Sequence, residues 1–256
     1  GIGVVTWQKS VNSVRASVAE GRALKHYQQG DLDNTVKELD NAIRLAPEIP
    51  TYHNNRAQVF LMYQLQKGKI FYPACNQQTE LPYLVCLGVE ELESNLEAVS
   101  KQPFYYRSRL SAANTAFNLQ LYDSAIISYS AAAGMVPEAF TVRNDLAESM
   151  INSGLYNDAL KELDRSLGIT GDTTFSARAY FLRGRALDGL GRSEEAIDGL
   201  MSRFSLTYSS ESAQHTVDLI RDILKRQDRV SDIPYFDELI NNDPQDAVSI
   251  YFRGLA

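Results

Sequence analysis

The residues of this chain that could do chemistry are few and lie far apart in the sequence. The three histidines, His26, His53 and His215, stand in separate segments without metal-ligand spacing, and helix-surface positions are predicted for them. Carboxylates are plentiful, as at residues 90–93, but no surrounding apolar pocket that would raise a pKa is indicated. No nucleophile–base pair is visible. The sequence therefore predicts no enzyme activity, no metal site and no cofactor.

The two cysteines, Cys75 and Cys86, form the one notable pair. Both lie in FYPACNQQTELPYLVC (residues 71–86), a stretch with two prolines and no helical period. Their spacing is longer than that of zinc or redox pairs. We predict a disulfide that closes this stretch, which places the domain in an oxidising compartment outside the cytoplasm. Two reduced thiols packed beside Tyr72 and Tyr83 are the alternative.

Composition narrows the classes of partner. The 256 residues carry a formal net charge of −7, which disfavours nucleic acid or an anionic membrane as the main partner. No run of 18 apolar residues occurs, so no membrane span is predicted. The opening GIGVVTWQK, with Trp7, has the residue order of a helix that leaves a bilayer. An apolar first turn that packs on the next helix explains it equally well.

A column of small residues recurs along the chain at intervals of about 34 residues. Its small members are Ala23, Ala57, Ala113, Ala147, Gly184 and Gly254. Ile220 is the one large residue at this position. Two helices that cross at close range leave no room for a long side chain, so the column predicts such crossings.

Further columns mark the rest of each unit. A second set of small residues comprises Thr35, Ala125, Ala159 and Ala196. Glycines that would form the turn between paired helices are Gly30, Gly154 and Gly191. Prolines that would end the units are Pro47, Pro103, Pro137 and Pro244.

With these columns the chain resembles the tetratricopeptide repeat (TPR) family over residues 16–256. The passages that carry the resemblance lie at 19–47, 110–137, 146–171 and 180–204; the first reads AEGRALKHYQQGDLDNTVKELDNAIRLAP. The resemblance implies an all-α, right-handed superhelical solenoid of about six helix pairs plus a terminal helix, about thirteen helices in all. Residues 1–15 are expected to form a helical extension and a possible juxtamembrane segment.

One interval in the small-residue column is too long. Ala57 and Ala113 are 56 residues apart, which is 22 more than one repeat. We therefore predict an insertion at about residues 67–88, between a first helix at 51–66 and a second helix that resumes at about Val89. Its aromatic content predicts that the insertion packs against the solenoid and contains at most a small hairpin.

The TPR resemblance implies a concave groove lined by first helices. The residues expected to face it are Asn54, Asn55, Gln58, Asn114, Asn118, Asn144, Arg178, Arg185 and Arg221. Asparagine offers a donor and an acceptor, so a row of such side chains can hold an extended peptide or a partner helix. The alternative is that they merely solvate an exposed face. The lysine-rich set with which TPR proteins hold a C-terminal carboxylate is absent, because those positions hold Glu20, Asn54, Leu110, Asn144 and Phe181.

These features predict a non-catalytic protein-interaction scaffold, the soluble TPR region of a larger, membrane-attached bacterial protein. Its partner would be a protein or extended peptide, and membrane contact would come only through a segment missing from this chain. The junction of the apolar opening with the first repeat is similar to TPR tails of bacterial O-antigen polymerase or ligase-like proteins. An accessory domain of such a membrane glycan enzyme is therefore a second hypothesis. A free cytoplasmic adaptor with no membrane link is the third. One feature opposes an external location: Lys9, Arg15, Arg22 and Lys25 follow the apolar opening, and positive charge after a membrane exit usually marks the cytoplasmic side.

Overall fold

The structure, a computed structural model, describes residues 2–66, 72–77, 82–171, 174–202, 210–229 and 234. Within these ranges the regular elements are twelve α-helices and one short 3₁₀ turn, and no strand occurs. The predicted all-α class is thereby confirmed for the described residues. The terminal helix predicted around Gly254, and Pro244, lie outside the described residues.

The chain forms two compact units, Gly1–Met135 and Val136–Ala256. The helices of the first unit are α1 (Ile2–Gln28), α2 (Leu32–Leu45), α3 (Pro50–Leu65), α4 (Pro73–Gln77), α5 (Tyr83–Lys101), α6 (Tyr106–Asn118) and α7 (Tyr122–Met135). Those of the second unit are α8 (Phe140–Asn152), α9 (Tyr156–Thr170), α10 (Ala177–Gly189), α11 (Ser193–Ser202) and α12 (Ser210–Arg226). In the first unit α1 pairs with α2, α3 with α5 and α6 with α7; in the second, α8 pairs with α9 and α10 with α11.

The small-residue column marks the close contacts between helices, as predicted. Its alanines, from Ala23 to Ala147, are buried. At Gly184 a Cβ atom would lie 2.7 Å from side-chain carbons of Leu200, so even alanine would force a shift there. Ile220 fits because it fills the core beside Ile197 rather than a tight helix crossing.

The turns between paired helices use a left-handed residue. Gly30, Gly154 and Gly191 have φ values of 74°, 77° and 74°, which is the region that glycine adopts most easily. In the third helix pair the equivalent turn residue is Gln120, with a φ of 59°. Sequence reasoning missed this turn because glutamine carries no turn signal.

The insertion differs from its predicted form at its C-terminal end. Helix α5 begins at Tyr83, not at Val89, because Pro82 caps the helix in an extended conformation and the residues after it are helical. Of the insertion's described residues, 73–77 form the short helix α4 rather than a hairpin. Phe71 and Leu81 lie outside the described residues. At the N-terminus, the predicted extension and the first TPR helix are one continuous helix, α1.

The left-handed turn generates a stability prediction. Replacement of Gln120 by glycine removes the steric cost of its positive φ and should raise the unfolding free energy by about 1 kcal/mol. Gly154→Ala should lower it by about the same amount, because a Cβ there meets nothing within 4 Å and only the backbone is strained. Urea titration followed by circular dichroism measures both. A Gln120→Gly variant less stable than the parent protein would contradict the assignment.

Candidate functional site

A cleft of about 360 Å³ opens in the first unit between α1, α2 and α3. The polar side chains that line this cleft belong to Ser17 and Glu20 on α1 and to Asn55 and Gln58 on α3. The Asn55 amide (Nδ2) donates a hydrogen bond of 3.1 Å to Glu20 Oε1. Two of the predicted groove residues, Asn55 and Gln58, therefore lie at one site.

The cleft also has apolar walls. They consist of Leu24 and Tyr27 on α1, Leu39 on α2 and Val59 on α3. Leu39 and Val59 belong to the buried core, whereas Leu24 and Tyr27 are partly exposed. Sequence reasoning missed Leu24 as a site residue, although it follows Ala23 of the small-residue column just as Gln58 follows Ala57.

Other predicted groove residues in the first unit make contacts between helices. Asn54 Oδ1 accepts a short hydrogen bond from the Ser108 hydroxyl, which links α3 to α6. Asn114 Oδ1 accepts a 2.6 Å hydrogen bond from the Tyr129 hydroxyl, which links α6 to α7. Asn114 and Asn118 are nevertheless exposed on α6. Their exposed edges remain accessible to a partner, whereas Asn54 serves mainly to join two repeats.

In the second unit, two of the three predicted arginines, Arg178 and Arg185, are bound to acidic and amide groups of α8. Arg178 donates at 2.6 Å to both Asp145 Oδ1 and Glu148 Oε2. Arg185 donates at 3.1 Å to Glu148 Oε1 and at 3.0 Å to Asn152 Oδ1. Burial lowers the pKa of Arg178, but the two carboxylates outweigh burial and raise the pKa. These guanidinium groups hold α10 against α8. Their positive charge is compensated by the carboxylates of Asp145 and Glu148.

A second cleft, of about 330 Å³, lies beside this network in the second unit. Arg178, Phe181 and Leu182 of α10 line it together with Glu148 of α8 and His215 of α12. Unlike the cleft of the first unit, it contains a carboxylate that two arginines already bind.

The positions of the remaining two predicted groove residues, Asn144 and Arg221, differ from those expected for residues that line an open groove. Asn144 is only 2% exposed, and its Oδ1 has no hydrogen-bond partner among the described residues. Arg221 lies 3.5 Å from Asp218 of the same helix, α12. Asn144 therefore lies in the interior of the second unit.

The histidines also differ in part from expectation. His53 is buried instead of exposed, and its Nε2 donates a 3.0 Å hydrogen bond to the Pro47 carbonyl oxygen. Across the described parts of the chain, no three His, Cys, Asp or Glu side chains are grouped so that they could hold a metal ion.

The structure pairs Cys75 of α4 with Cys86 in the first turn of α5. Both cysteines are buried in a core cluster that includes Phe60 and Tyr63. Tyr72 packs edge-on against Phe60, with ring centroids 5.0 Å apart. The described residues of the insertion therefore pack into the core beside α3, in agreement with the expectation for this part of it.

Ion pairs join the helices next to this core. Arg56 of α3 donates at 2.8 Å to both Asp40 of α2 and Glu90 of α5, and its guanidinium lies 4.6 Å from the Phe60 ring centroid. Burial lowers the pKa of Arg56, but Asp40 and Glu90 raise it by more, so the net shift is upward. The guanidinium group therefore stays charged and connects three helices.

Glu91 has no such cation. It is 4% exposed and accepts hydrogen bonds from Gln64 at 2.8 Å and Thr115 at 2.9 Å. Burial raises the pKa of Glu91, and these neutral donors only partly oppose the rise. The charged carboxylate is thus a destabilising group that joins α3, α5 and α6.

Comparison with known proteins agrees with the fold. A family profile described as tetratricopeptide repeat matches residues 177–198. A crystal structure of MamA superposes with a TM-score of 0.54 and 13% identity, covering 83% of this chain and 94% of MamA. YrrB, described as a TPR protein with an unusual peptide-binding site, gives 0.59 and 12%, covering 78% and 90%. A search of curated proteins found no significant match. The chain therefore has the TPR fold.

Over the described residues, no helix combines the length and the apolar character that a membrane span needs.

The buried Glu91 carboxylate generates a pH-dependent prediction. The pKa of Glu91 is higher in the folded than in the unfolded protein. The unfolding free energy therefore falls as the pH rises from the unfolded-state pKa through the folded-state pKa. Glu91→Gln keeps the shape and removes the charge, so it should raise the melting temperature at pH 7 and leave it unchanged at about pH 4. The exposed Glu93→Gln is the matched control for lost negative charge. Equal effects of both variants at both pH values would contradict this reading of Glu91.

Proposed function

We propose that this chain is a non-catalytic scaffold that binds a protein or an extended peptide on the first-helix faces of its repeats. The observation that carries the proposal is the open cleft of the first unit, where Glu20, Asn55 and Gln58 stand beside the exposed apolar residues Leu24 and Tyr27. Ligand sites commonly combine apolar walls with a few placed polar groups. The description of YrrB as a peptide-binding TPR protein is consistent with this use of the fold.

The contacts divide the predicted groove residues by role. Asn55 and Gln58 in the cleft, and Asn114 and Asn118 on α6, are accessible and are proposed to contact the partner. Asn54 joins repeats, and Arg178 and Arg185 are held by acidic residues of α8. These three are proposed to support the binding surfaces of their own units, and no direct contact is proposed for the buried Asn144 or for Arg221.

We further propose that the chain is the soluble region of a membrane-attached bacterial protein and lies outside the cytoplasm. Trp7, near the start of α1, is 69% exposed, as is expected of an aromatic residue at a membrane interface. The Cys75–Cys86 bridge suits an oxidising compartment. The accessory role beside a glycan polymerase or ligase rests on the sequence junction alone, since neither MamA nor YrrB is described as such an enzyme. A cytoplasmic adaptor would instead require reduced thiols.

Photo-crosslinking tests the binding surface. A photoreactive phenylalanine derivative placed at Gln58 or Asn118 in cells that produce the natural protein should form covalent adducts with a protein partner. Lys37, exposed on the second helix α2, is the matched control position and should give none. The Asn118 adduct should persist in an Asn144→Ser background if that buried residue makes no contact. Adducts confined to Lys37, or absent at all three positions, would contradict the proposed surface.

Thiol counting tests the location. Denatured, unreduced protein from its native cells should bind no maleimide-polyethylene glycol at Cys75 or Cys86, and two labels after reduction. The Cys75→Ser/Cys86→Ser variant should lose about 2–4 kcal/mol of unfolding free energy, because the bridge restrains the denatured chain. Two reactive thiols without reduction would remove the main support for a location outside the cytoplasm.

A further inference from the structure

The cleft of the first unit contains a carboxylate that no cation of the described residues binds. Among the residues that line it, Glu20 alone is charged. Asn55 holds Oε1 of this carboxylate and leaves Oε2 available as an acceptor. No lysine or arginine of the described chain lies within salt-bridge distance of Glu20, and the nearby Arg22 is instead paired with Glu38 at 2.8 Å.

The second unit makes the contrast clear. There Glu148, at the edge of the other cleft, binds both Arg178 and Arg185. Its charge is satisfied inside the unit, so it offers little attraction to an approaching cation. Glu20 occupies a comparable first-helix face but keeps its negative potential.

The apolar side of the cleft also contains exposed side chains. Leu24 is 57% exposed and stands one helical turn beyond Glu20, so the two side chains are neighbours about 6 Å apart. Tyr27 and the buried Val59 extend this apolar wall. A partner segment whose cation binds Glu20 could therefore place an apolar side chain against Leu24.

We propose that this cleft selects a lysine or arginine of the partner polypeptide together with a nearby aliphatic or aromatic side chain. The inference rests on the proposed function and adds the chemistry of the partner to it. In an extended segment, residues two apart point to the same face about 7 Å from each other, which matches the spacing of Glu20 and Leu24. The basic group forms a charge-assisted hydrogen bond with Glu20 Oε2, while the apolar residue covers Leu24 and Tyr27.

Selection from a phage-displayed library of random 12-residue peptides on the immobilised 256-residue chain tests the proposal. Peptides enriched on the parent protein should carry Lys or Arg two positions from an aliphatic or aromatic residue. Glu20→Gln, which keeps an oxygen for Asn55, should lose the basic preference, and Glu20→Lys should reverse it toward acidic residues. Glu48→Gln, at an exposed position outside the cleft, removes the same charge and should change nothing.

Affinities of one enriched peptide then separate the contributions. By fluorescence anisotropy, Glu20→Gln and Leu24→Ala should each weaken binding about three- to tenfold, a range that allows for solvent screening. Only the effect of Glu20→Gln should shrink in 0.5 M salt. Circular dichroism checks that each variant is folded.

The outcomes distinguish this inference from the proposed function. Peptides enriched equally by the parent protein and by Glu20→Gln, or enriched in acidic residues, would overturn the basic-partner inference and leave a peptide-binding scaffold. If no variant enriches any peptide and photo-crosslinking also gives no adduct, both proposals fail.

Discussion

The close crossing of neighbouring helices at their small-residue column is the constraint on which each unit depends. Where Gly184 meets Leu200, even a single added carbon would come within 2.7 Å of the neighbouring side chain. Because the helices are held this near, the residues next to the column on each first helix are brought beside those of the next repeat. The cleft formed by Glu20, Asn55 and Gln58 is a direct consequence of that spacing.

Polar side chains between helices are used mostly for joining repeats. Arg56 connects α2, α3 and α5, and Glu91 connects α5 with α3 and α6. Asn54 accepts a hydrogen bond from Ser108 of α6, and Arg178 and Arg185 donate hydrogen bonds to side chains of α8. Polar residues on first helices therefore contribute to the contacts between repeats.

The insertion shows how an irregular segment can become part of a repeat core. Tyr72 packs on Phe60, its backbone N–H donates at 2.9 Å to the Tyr83 hydroxyl, and the bridge ties α4 to α5. A short helix of this length has few hydrogen bonds of its own, so its position depends on these contacts. The insertion thus strengthens the pair α3 and α5 at the point where the repeat spacing is interrupted.

The sequence by itself determined the repeat fold, because small residues at Ala57 or Ala113 and turn glycines at Gly30 or Gly154 report local packing and backbone needs. It could not locate the start of α5 or the turn at Gln120, where local signals are weak. Only tertiary structure decided which polar residues are accessible, since that depends on partners from other helices. Asn144 is buried, the charge of Arg178 is compensated by two carboxylates, and Glu20 has no cation beside it within the part of the chain that the structure describes.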